Sequence, residues 1–100
     1  MNIQTQQESF DNTVSKMKEI MFKKGNDYSN EDRLSNFKLA GNITGVGAKL
    51  NCLNLMATKV ARLGQLLNKN TPPNNESVED SIVDLANYTL LLSMIIQDEN

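Results

Sequence analysis

The sequence contains no histidine and no tryptophan, a single cysteine, two prolines and five aromatic residues. Without histidine the chain lacks the commonest general base and the commonest transition-metal ligand, so any bound metal should be a hard, oxygen-liganded ion such as Mg²⁺. A lone Cys52 excludes an internal disulfide and suits a reducing cytoplasm. Neither charge sign dominates: the net charge of −2 offers no basic face for duplex nucleic acid. The longest apolar run, LLLSMII, is far too short to span a membrane. The opening MNIQTQQE has neither a basic start nor an apolar stretch, so no secretory leader is expected. With 39% hydrophobic residues in 100, the chain can form one modest core, and a single domain over 1–100 is expected, its first few residues outside the ordered part.

Against that background stands the segment 76–88, ESVEDSIVDLANY. Val78, Ile82, Leu85, Thr89, Leu92 and Ile96 recur at helical spacing and form one stripe. Glu76, Asp80, Asp84 and Asn87 fall on the opposite side, within an arc of roughly 80°. Stacked carboxylates repel unless a cation or hydrogen-bond donors lie between them. An acidic first turn that favours the helix dipole accounts for Glu76, Glu79 and Asp80. It accounts poorly for Asp84, two turns in. The spacing therefore points to a site, with a solvated acidic face as the alternative. If Asp84 is a site residue rather than a structural one, Asp84→Asn should leave the ligand-free protein equally or slightly more stable, by relieving repulsion from Asp80.

Taken in order, Thr5 and Glu8 read as a capping box opening a helix. Its apolar seam is Phe10, Val14, Met17 and Met21, widened by Ile20 and Phe22, and Gly25 reads as its stop. GNDYSNEDR has the composition of an ordered loop, in which Asp27 is a natural turn former and Tyr28 needs something to pack on. A short helix follows in EDRLSNFKLAG, with Asn30 as a candidate cap and Gly41 as its stop. NITGVG is a second loop; lacking a following Lys-Ser or Lys-Thr pair, it is no phosphate-binding loop. A long helix from about Ala48 to Asn68 carries Leu53, Met56, Val60, Leu63 and Leu67 in 3-4 alternation. Lys59 and Arg62 share a neighbouring face, as a snorkelling solvent surface or as two cations for an anion. NKNTPPNN breaks the chain, Asn74 or Asn75 caps the last helix, and that helix runs from about Glu76 to Gln97. Nothing reads as a strand.

The expected fold is all-α, a compact helical bundle of three long helices and one short one. In the second half of the last helix, Leu90, Leu91, Met94 and Ile95 continue the acidic side as apolar residues. A helix apolar all round needs cover all round, so a homo-oligomer, a dimer or larger, is expected to supply it.

Four short motifs occur in order: Lys24, Asp27 and Tyr28; Asp32, Asn36 and Phe37; Lys59, Arg62 and Leu63; and the acidic segment ending in Asn87 and Tyr88. Together they resemble the small phage and prophage proteins called nucleotide-modification-associated domain 1, over nearly the whole chain from Phe10 to about Met94. That family is distantly like the MazG-type all-α nucleoside triphosphate pyrophosphohydrolases, dimeric bundles whose carboxylates hold Mg²⁺ against phosphates. The resemblance implies a nucleotide ligand and, for a phage protein, the host cytoplasm. It sets Glu76, Asp80 and Asp84 as possible Mg²⁺ ligands, Lys59 and Arg62 at phosphate, and Tyr28 and Phe37 near a base or ribose. Lys24, Asp27, Asn36, Asn87 and Tyr88 join them at the ligand by the same matching. The chain departs from the MazG pattern in lacking Glu-Glu-x-x-Glu on an earlier helix: Glu8, Asp11 and Glu19 do not fall at that spacing. A two-metal site needs ligands converging from both sides. The expectation is thus a protein that captures a nucleotide or nucleotide-derived signal, sequestering it from a host defence pathway. The alternatives are a Mg²⁺-dependent pyrophosphohydrolase and a helical protein-interaction module.

Overall fold

The structure, a computed structural model, describes the backbone of residues 1–27, 32–68 and 75–100, and the side chains of 1–23, 32–68 and 78–100. Among the described residues there are four helices and no strand: α1 (Ile3–Asp27), α2 (Ser35–Thr44), α3 (Gly47–Leu67) and α4 (Asn75–Glu99). The all-helical bundle expected from the spacing is what forms, in three long helices and one short.

The helix ends differ from the local signals. The Thr5 N–H donates to Asn2 Oδ1 at 2.9 Å, so Asn2, not Thr5, caps α1. α1 continues through Gly25 to Asp27 rather than stopping at that glycine. At α2, Asp32 organises the entry: its Oδ1 accepts from the Leu34 N–H at 2.9 Å and its carbonyl from the Ser35 N–H at 3.1 Å. Asn30, the expected cap, lies outside the described residues. Gly41 does not end α2 either. A Cβ there would stand 2.3 Å from the Gly47 carbonyl carbon, so the missing side chain lets α2 press against the start of α3. The stop comes at Gly45, whose φ of 79° only glycine adopts without strain; its N–H donates to the Gly41 carbonyl at 2.9 Å.

α3 and α4 run antiparallel, as three contacts along their length require: Lys49 to Glu99, Cys52 to Tyr88 and Lys59 to Asp84. Ala48, Cys52 and Ile95 form the core between them, with Leu34 and Phe37 of α2 and Tyr88, Leu91 and Leu92 of α4 packed around it. α2 lies on α3 and is tied to the end of α4 by Lys38–Asp98 at 2.8 Å. Among the described residues α1 packs on α4 alone, through Lys16–Glu79 and a hydrogen bond from Asn87 Nδ2 to the Met17 carbonyl. Its expected seam is only partly used. Val14, Met17, Ile20 and Met21 are half-buried, while Phe10 and Phe22 remain exposed.

Two further faces sit differently from their sequence reading. On α3 the inward line runs through Cys52, Met56, Lys59 and Leu63, so Leu53, Val60 and Leu67 of the expected seam are exposed. On α4 the chain covers part of the acidic side: Val83, Asn87 and Ile95 are buried, while Asp80, Leu90 and Met94 are exposed. Ile82, Thr89 and Ile96, from the continuous apolar stripe, face out. The reason lies in α1 and α2, which both approach the α3–α4 pair from the acidic side.

Candidate functional site

The acidic residues of α4 do not stand as an isolated stack. Glu79 is bonded by the ammonium of Lys16 from α1. Asp84, one turn and a residue further on, has its Oδ2 3.0 Å from the Nζ of Lys59 on α3. The Asp84 side chain is 20% exposed and that of Lys59 26% exposed, so the pair is largely withdrawn from water. Asp80 lies exposed between them. The repulsion argument thus has an internal answer: the intervening cations are this chain's own lysines, delivered from two neighbouring helices.

Beyond Asp84 comes Asn87, only 5% exposed. Its amide nitrogen donates to the Met17 carbonyl at 3.1 Å, tying α4 to α1. Its Oδ1 is fully buried and has no hydrogen-bond partner. An unmet buried acceptor costs about 1–3 kcal/mol, so this position calls for a donor. One turn back along α4, Val83 lies at the wall of an open groove of about 340 Å³ between α1 and α4. Lys16, Glu19, Ile20, Glu79 and Asp80 complete its lining. With three carboxylates and one ammonium already bonded to Glu79, the groove is net negative. It suits N–H-rich edges or a cation. An anion would have to turn to Lys59 and to Arg62, which stands exposed three residues on in α3.

The structure therefore pairs Lys59 with Asp84, with Asn87 three residues further along α4 and Arg62 three residues further along α3. It does not bring Phe37 to them. Phe37 packs on the core of Ala48, Cys52 and Ile95, and even its nearest member on α3, Cys52, is about 10 Å along the helix from Lys59. Asn36 is exposed on α2, and Tyr88 packs on the same core while its carbonyl accepts from Cys52 Sγ at 3.3 Å. Burial pushes the Cys52 thiol above its ordinary value. Tyr28 and the side chains of Lys24, Asp27 and Glu76 lie outside the described residues.

For Mg²⁺ the described side chains do not by themselves make a site. Among the described residues no group of three or more acidic or cysteine side chains converges as a metal site, and Asp84 Oδ2 is engaged by an ammonium. Lys16 and the Met17 carbonyl belong to the site but carry no sequence signal, because their partners are more than 60 positions away. No protein-family model, curated protein or solved structure matches this chain.

Proposed function

We propose that this chain is a nucleotide-binding protein that captures a nucleotide or nucleotide-derived signal molecule, acting as a homo-oligomer in the cytoplasm. The observation that carries the reading is the buried, unpartnered Oδ1 of Asn87, three residues along α4 from the Asp84 that pairs with Lys59. An amide acceptor one turn along α4 from Val83, which walls the acidic groove, suits the amino and imino N–H groups of a base, and Lys59 with Arg62 supplies cations for phosphate. The motif resemblance to nucleotide-modification-associated domain 1 supplies the ligand class, the phage setting and the role, sequestration from a host defence pathway. Capture is favoured over hydrolysis because Asp84 is occupied by Lys59 and the described carboxylates do not converge on a metal.

The test is a thermal-shift panel of nucleoside mono- and triphosphates, cyclic dinucleotides and dinucleotide cofactors, each with and without Mg²⁺, followed by product analysis. A melting shift without turnover is expected from at least one. Asn87→Leu, close in shape and free of the unmet acceptor, should abolish that shift; it also loses the hydrogen bond to the Met17 carbonyl, so the shift is read against the variant's own ligand-free melting temperature. Turnover with release of pyrophosphate would replace capture by hydrolysis. No shift from any nucleotide would remove the reading.

A further inference from the structure

The side of the α3–α4 pair opposite α1 and α2 is apolar and largely exposed, with Lys49 as the one charge at its edge among the described residues. On α3, Leu50, Leu53, Ala57, Val60, Gly64 and Leu67 are all exposed and follow one another at steps of three and four. That is a complete a/d heptad repeat, the pattern that inserts side chains into a facing helix. The α4 stripe repeats in the same way: Ile82, Thr89 and Ile96 are exposed, and Val78, Leu85 and Leu92 are half-buried between them. Counted at 100° per residue, each stripe lies about 100° beyond the line of α3–α4 contact, in the same rotational sense. For antiparallel helices the same sense means the same side, so the two stripes make one continuous face. α1 meets α4 at Glu79, Val83 and Asn87, on the other side of that line.

Two properties mark this face as built for dehydration. No charged residue lies on either stripe; Lys49, at the edge, is paired with Glu99 at 3.0 Å. The threonines on or beside the stripes already spend their hydroxyl protons within their own helices: Thr58 donates to the Asn54 carbonyl at 3.0 Å and Thr89 to the Leu85 carbonyl at 2.9 Å. Desolvating them therefore leaves no donor unmet.

The area agrees. The chain exposes 7352 Å², whereas a monomer of 11.2 kDa exposes about 5,700 Å². The excess, about 1,650 Å², is of the order that each partner buries in an obligate homodimer, roughly 1,000–2,500 Å², and α1, with Ile3, Phe10 and Phe22 exposed, shares it with the α3–α4 face. The radius of gyration, 15.5 Å, likewise exceeds the roughly 13 Å of a self-contained 100-residue domain.

We infer that this face is a self-association surface whose occupant is a second copy of the same α3–α4 pair, related by a two-fold axis. Both stripes carry the same repeat, so α3 and α4 of one copy can interlock with those of the other into a four-helix layer. An uncharged face has no electrostatic label to select a different protein. The inference gives the proposed oligomer its interface and is independent of any nucleotide.

Light scattering at micromolar concentration should give an even multiple of the 11.2 kDa chain mass. Val60→Glu should halve that mass with helical circular dichroism retained, since Val60 is 55% exposed within the subunit. Should that variant fail to fold, Val60→Cys provides the second reading under reducing conditions. In the native assembly a thiol probe should label it at least tenfold more slowly than Ser15→Cys, on the exposed side of α1. A monomeric wild type would leave the face to another protein or a lipid surface and overturn the inference. So would a folded Val60→Glu that keeps its mass, or equal labelling at the two cysteines.

Discussion

Lys59 Nζ stands 3.0 Å from Asp84 Oδ2, joining the inner faces of α3 and α4. Neither side chain is more than about a quarter exposed, which places the pair between surface ion pairs, worth about 0–1 kcal/mol, and buried ones, where losing a partner costs about 3–5 kcal/mol. Asp84→Asn should therefore destabilise the ligand-free protein by about 1–3 kcal/mol in urea unfolding. Spacing along α4 alone gives the opposite sign, through relief of Asp80. A double-mutant cycle with Lys59→Met should show a coupling of about 1 kcal/mol or more. An Asp84→Asn variant more stable than wild type would mean that repulsion within the acidic stripe outweighs the pair.

Arg62 provides the complementary case. It is exposed, so Arg62→Ala should leave stability within about 0.5 kcal/mol of wild type. If it meets phosphate, the same change should weaken nucleotide binding by about 1.5–3 kcal/mol in titration calorimetry. Lys59→Ala should reduce binding and stability together. Undiminished affinity in a folded Arg62→Ala would return this side chain to solvent.

Gly41 tests the closeness of α2 and α3. An alanine usually strengthens a helix interior by about 0.8–1 kcal/mol over glycine. Here its methyl would lie 2.5 Å from the Ala48 nitrogen as well as against Gly47, and backbone cannot rotate away. Gly41→Ala should cost about 1–3 kcal/mol, read as a lower melting temperature. A gain would show that α2 shifts freely.

The pH profile should report the cluster at the ends of α2 and α4. The Lys38 ammonium, with help from the Leu34 N–H, holds the Asp32 carboxyl below its ordinary range. Asp32 and Asp98 in turn push the Lys38 ammonium upward. A depressed carboxylate stabilises the fold above its unfolded value of about 3.9 and stops doing so as pH falls through its lower folded value. A raised ammonium stabilises below its unfolded value of about 10.4 and is lost as pH climbs through its higher folded one. The melting difference between wild type and Lys38→Met should thus be flat from about pH 5 to 9 and shrink toward both extremes. These side chains are nearly half exposed, so 0.5 M salt, roughly, should diminish the difference throughout. A difference that grows below pH 4 would contradict the assignment.

Helix existence and type were legible because they depend on short-range periodicity. α3 and α4 appear within two residues of the limits that spacing predicts. Glycines were misread at two of the expected stops. Gly25 and Gly41 both look like terminators in a linear reading, yet the first sits within α1 and the second serves a helix crossing that no local pattern encodes. The candidate site was half legible. Asp84 and Asn87 stand out by spacing along one helix, whereas Lys16 and the Met17 carbonyl enter from a helix more than 60 positions earlier.

What the amino-acid order determined by itself is the all-helical class, the break around the two prolines, and the division of α4 into an apolar and an acidic side. Each follows from residues within a few turns of one another. Which side of α4 faces inward was decided only in three dimensions. Burying the apolar stripe and burying the acidic side are both open to a helix apolar nearly all round in its second half, so its own pattern cannot choose. The choice is made by where α1 and α2 approach. Lys16 and Lys59 neutralise carboxylates on that side, Val83 and Ile95 fill the space between helices, and the α3 stripe with Ile82, Thr89 and Ile96 of α4 is left outside. Charge pairing across helices thereby turned the sequence's expected inner face into its outer one.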